Sequence, residues 1–287
     1  MLTPATYASR YLPVQIRSGE NFVPVHVRRY HLGTPTAAQQ QLWGALGDHF
    51  NQHKKTDPSY ALTLNVNNAA LPVRGREEIR MPAVRPFWGK GSPEDCQVVL
   101  QLALLLNLTT ADNLQRWADE NVGLDCNGFV GNYLFHVVLK KGWSVVDGAD
   151  DPGPSKTIDK LFHFAAGKDE SGAVDDLDEL DPQKTYMVVR TDQNGRVIPG
   201  PHPVGHIALT EPRQYIGSFS TMNLARANDG MFGNPALRTV EAAGPVKGVG
   251  QNWMVFVKSL KPKHVFQVNR DNIRKADPVK LAPLRVS

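Results

Sequence analysis

Partway along the chain the hydrophobic pattern changes period, and this limits the available folds more than any other feature. Between Ser92 and Ala166 apolar residues recur at helical spacing; from Tyr186 onward they come in short runs with strand-like alternation. Ser92 is a good N-cap and Pro93 suits the first helical position, so a helix is predicted to run through the apolar stretch to Leu106. Thr110 is placed to cap a second helix over 111–120. A third starts at Cys126 and ends near Lys141, and 155–166 reads as a fourth. Downstream, residues 186–190, 204–210, 215–220, 237–242, 253–258 and 264–268 read as strands, with a turn signal at Asp192-Gln193-Asn194-Gly195. Helices first and strands afterwards imply an α+β fold, with helices packed on an antiparallel sheet.

The region before this is mixed. Residues 14–17, 23–27, 61–66 and 78–81 look extended, and 36–50 reads as a helix capped by Thr36 with Leu42, Leu46 and Phe50 on one face. The Pro- and Gly-rich stretch 82–93 marks a boundary. Residues 1–87 are therefore expected to form an N-terminal extension or small domain of unassigned role, and residues 88–287 the main domain.

With 41% hydrophobic and 21% charged residues, the chain can build a packed core throughout. Its longest apolar run, 98–106, is interrupted by Gln101 and falls far short of the roughly 20 residues that cross a bilayer. No membrane span is expected. Residues 1–17 lack a basic start followed by an apolar core, so the expected location is the cytoplasm or beyond it by a signal-independent route. A net charge of +4 and a pI near 9.0 suit an anionic partner. Zinc-finger spacing and alternating basic and aromatic stripes are both missing, which argues against nucleic acid. Walker A, dinucleotide and His-Glu-x-x-His patterns are missing too, so no cofactor is expected. The acidic stretch 175–181 lacks the glycine and terminal glutamate of an EF-hand loop, and reads as solvated rather than metal-binding.

Two cysteines cannot make a disulfide framework, so each is weighed alone. Cys96 lies within an apolar helical run and reads as core. Cys126 is different. Asp125 is a good N-cap, which puts Cys126 in the first turn of a helix, where free N–H groups and the helix dipole favour a thiolate. Gly128 costs about 1 kcal/mol in a helix relative to Ala, so its presence suggests a close approach of another segment. Gly205-His206 opens a strand-like stretch 80 residues after Cys126. In a strand, His206 and Ala208 share one face, so His206 is expected to face the cysteine helix while Ile207 and Leu209 pack the other way. His202, between two prolines, is the rival base; His136, on the cysteine's own helix, reads as core.

The stretch Asp125-Cys126-Asn127-Gly128-Phe129-Val130 resembles the Asp-Cys-Ser-Gly-Phe-Val signature of the NlpC/P60 and CHAP group of cell-wall cysteine peptidases and amidases. Asn127 is the only departure. The resemblance implies a papain-like fold and a cysteine hydrolase (a thiol peptidase or amidase) acting on peptidoglycan peptides. It implies Cys126 as nucleophile, His206 as base, and a third residue on the next strand. Thr239-Val240-Glu241-Ala242 is similar to that strand, which makes Glu241 the first choice; Asn252 and Glu211 are the alternatives. The group often supplies an aromatic hydroxyl upstream as an oxyanion donor. Since the 30 residues before Cys126 hold no tyrosine, Trp117 and Asn121 are the nearby polar substitutes. Two other functions remain open: a catalytically silent relative binding wall fragments or an inhibitory protein partner, and a cytoplasmic protease or acyl transferase on other amides.

Overall fold

The most apolar stretch of the chain becomes its central helix. A computed structural model describes the chain except residues 1, 32, 34–35, 144, 201–204, 217–234, 243–247, 261–263, 271–272 and 285–287. Seven α-helices are described: α1 (Pro4–Ser9), α2 (Ala37–Thr56), α3 (Arg80–Val84), α4 (Pro93–Leu105), α5 (Leu114–Asn121), α6 (Cys126–Asn132) and α7 (Ile158–Ala166). Helix α4 starts at a complete capping box: Ser92 accepts from the Asp95 N–H while Asp95 accepts from that of Ser92. It is buried on nearly every side. Its two buried glutamines serve as backbone glue. Gln101 exchanges both hydrogen bonds with the Asn65 peptide group, and Gln97 accepts from Asn67 and donates to the Gln15 carbonyl.

Those bonds anchor two hairpins from the N-terminal third, β1 (Val14–Ser18) with β2 (Asn21–Val25), and β3 (Leu62–Val66) with β4 (Ala69–Val73). Helix α2 buries Leu42, Leu46 and Phe50, as its spacing predicts, and one apolar core runs from Tyr7 to Leu284.

The remaining strands are β5 (Tyr186–Arg190), β6 (Ile207–Ile216), β7 (Ala236–Ala242), β8 (Val249–Leu260), β9 (Val265–Arg270) and β10 (Ile273–Pro283). They close into a six-stranded antiparallel barrel in the order β10-β5-β6-β7-β8-β9. This overturns the expected papain-like α+β architecture with helices on an open sheet. The closing strand is β10, which pairs with β5 on one edge and β9 on the other. Its sequence hides it. Asp277-Pro278 and a register shift between Ile273 and Asp277 break the alternation that marks a strand.

Between the register shifts, the barrel strands alternate. Val188, Ala208, Leu237, Met254, Phe256, Phe266 and Val279 cluster in the interior. Met187, Val189, Ile207, Leu209 and Val240 face out and join the core shared with the helices. Helix α6 lies on β6 and β7, and α7 on β5 and β10. Three local readings change. Residues 76–84, expected extended in part, are a 3-10 turn leading into α3; the cysteine helix gives way at Tyr133 to a π-helical turn through Val138; α7 is shorter than 155–166. Among the described residues no helix is long and apolar enough to cross a membrane, and no group of three or more His, Cys, Asp or Glu side chains could hold a metal ion.

Candidate active site

The site is built where α6 meets the mouth of the barrel. Asp125 caps α6 by accepting from the Gly128 N–H at 2.6 Å, and Cys126 is the first helical residue. Lys90 holds both neighbours of the cysteine: its ammonium pairs with the Asp125 carboxylate and donates to Asn127 Oδ1. Burial pushes the Asp125 carboxyl up to about 6, against the pull of Lys90. Asn127 Nδ2 donates to the Lys156 carbonyl at 2.8 Å, so this side chain ties two segments to the Cys126 turn. Gly128 has the reason its position suggested. A Cβ there would overlap the carbonyl oxygen of Gly89, and the Gly89 carbonyl also accepts from the Asp125 N–H at 2.9 Å.

His206 directly precedes β6, and Cys126 is one of the two neighbours that raise its imidazole. Its Nε2 bonds to Glu241 Oε2. Burial pushes the imidazole down. The Glu241 carboxylate and the charge and hydrogen bond of Cys126 outweigh it, and raise His206 to about 9. Glu241, on β7, is buried, and its Oε1 accepts from Nδ2 of Asn252 on β8. Cys126, His206 and Glu241 thus come together in one chain of contacts, with Asn252 as a fourth member rather than a substitute for Glu241. Glu211 lies elsewhere; its carboxylate accepts from the Ala5 N–H at the start of α1. One detail of the alternation is reversed. Ile207 and Leu209 pack on the helices, whereas His206 lines a cavity with Ala208 and Glu241.

A residue that the local sequence did not suggest completes the site. The Tyr30 hydroxyl donates to Cys126 Sγ at 3.9 Å and adjoins the Cys126 backbone N–H. Burial, then the charge and hydrogen bonding of Cys126, push its phenol upward, so it stays a donor. Tyr30 rides on a strap pinned across the α5–α6 turn: Leu124 N–H donates to the Arg29 carbonyl at 2.9 Å, and Arg28 forks onto Asp119. Trp117 and Asn121 contact each other and the core. Asn121 donates to the Trp117 carbonyl, and the Trp117 ring packs edge-on against Phe87. Cys96 is buried in α4, its thiol raised by burial and by Asp95 and Glu94. His136 Nδ1 contacts the Lys141 carbonyl, away from the sulfur, and His202 lies outside the described residues.

No family model matches the chain, and no curated protein or solved structure matches it either.

Proposed function

We propose that this protein is a cysteine hydrolase of amide bonds, with the peptides of peptidoglycan as its substrates. The observation that carries the reading is the convergence of Cys126, His206 and Glu241 from three separate segments, with Tyr30 opposite. The Cys126 thiolate attacks the amide carbonyl. The oxyanion that forms receives the Cys126 N–H and the Tyr30 hydroxyl. The His206 imidazolium gives its proton to the leaving amine, and the acyl-enzyme forms as the C–N bond breaks. Neutral His206 then takes a proton from water, which attacks the thioester, releases the carboxylic acid and restores the thiolate. Glu241 holds the imidazole in orientation and favours its charged form. The six-residue resemblance at Asp125–Val130 and the basic charge balance support the wall-peptide substrate.

A second reading has one observation behind it: Cys126 is fully buried, as suits a silent relative that binds wall fragments or a protein partner. Incubating purified peptidoglycan with the protein and with Cys126→Ala separates the two. New peptide fragments by mass spectrometry with the parent protein alone are the expected result. Identical fragment profiles contradict hydrolysis of this substrate.

A further inference from the structure

The cysteine turn carries a charge that its fold does not require. Asp125 caps α6 with a side chain only 2% exposed, so a carboxylate is buried one residue from Cys126. Asparagine or serine would cap the helix as well without a charge. Burial favours the neutral carboxyl, but Lys90 and the Gly128 N–H oppose it, and the group stays charged at neutral pH. That charge reaches the site, where it is one of the influences that push the Tyr30 phenol upward. A negative charge so placed also disfavours a second one on the sulfur.

Lys90 is held where it cancels that charge. Its N–H donates to the Arg85 carbonyl at 2.9 Å, and its own carbonyl accepts from Asn132 Nδ2 at 3.0 Å. Its ammonium pairs with Asp125 Oδ2 and donates to Asn127 Oδ1 at 2.6 Å. Asn127 Nδ2 is occupied by the Lys156 carbonyl, which fixes the end of the amide that faces Lys90. Asn127 is also the one departure from the Asp-Cys-Ser-Gly-Phe-Val signature, so the holder of the ammonium belongs to this chain and not to the resemblance. The other titratable groups acting on the sulfur are Tyr30 from the strap and His206, with Glu241 behind it.

We propose that Lys90, held by Asn127, cancels the capping carboxylate of Asp125, so that the Cys126 thiolate forms beside a neutral pair. This deepens the hydrolase reading and rests on it for the use of the thiolate. The test follows the ultraviolet absorbance of the thiolate against pH. Each protein is read against its own Cys126→Ala form, so that Cys96 and the tyrosines cancel. Lys90→Met moves the half-point of the signal up by about one pH unit, the usual effect of an unbalanced neighbouring charge. Asn127→Ser moves it up by less. Asp125→Asn keeps a cap and moves it down, and the double variant of Lys90 and Asp125 returns to the parent's half-point, because the turn is neutral again. A purely structural role for Lys90 gives no such reversal, and its absence overturns the proposal. So does a parent-like half-point in Asp125→Asn, whether or not Lys90→Met folds. Half-points that follow these signs while purified peptidoglycan stays intact support the charge balance and remove only the hydrolase reading.

Discussion

Tyr30 touches Cys126 from 96 positions upstream, and nothing in its own neighbourhood marks it. Cys126 is legible because cap, nucleophile and glycine lie within four consecutive residues. Glu241 is legible through its strand and its family-like neighbours. Tyr30 is invisible because its role depends on how the strap crosses the α5–α6 turn, a tertiary contact with no periodic signature. Asn127 is similar: a serine in its place would be too short to reach both Lys90 and the Lys156 carbonyl. Tyr30→Phe removes one oxyanion donor while keeping the ring. It is expected to lower kcat about 100-fold with little change in KM, from the usual effect of losing such a donor. Steady-state kinetics on soluble wall peptides check this, and an unchanged kcat would reduce Tyr30 to a space-filling role.

At the scale of elements, α6 is held by backbone rather than by its own length. It has seven residues before the π-helical turn, and the Gly89 carbonyl lies where a Cβ of residue 128 would point. The neighbour is main chain and cannot swing aside. Gly128→Ala is expected to destabilise the protein by about 1–3 kcal/mol, the range of overpacking in a tight core. Urea unfolding measures it, and an unchanged midpoint would show that α6 shifts freely. The strands β5 to β9 were largely legible because runs of alternating or apolar residues mark them. Strand β10 was not, since a proline, a bulge and several charges interrupt it while its two neighbours supply the hydrogen bonds that hold it. That single strand separates an open sheet from a barrel.

Across the whole molecule, the site depends on four distant regions meeting: the strap, the nucleophile turn, the start of β6, and β7 with β8. The core shared by helices and barrel and the cluster inside the barrel bring them together, which is why local patterns suggested members of the site but not its assembly. We propose that Cys126, His206 and Glu241 act as one electrostatic unit. His206 reports on it directly, because the groups that lift its imidazole from 6.5 to about 9 are Glu241 and Cys126, acting against burial. Deleting either partner must therefore lower the value, since burial alone favours the neutral ring. The measurement is an NMR titration of the His206 imidazole in the parent protein and in Cys126→Ala. A midpoint near 9 that falls when the sulfur is removed is expected; a midpoint near 6.5 that is the same in both proteins would contradict the coupling of Cys126 to His206.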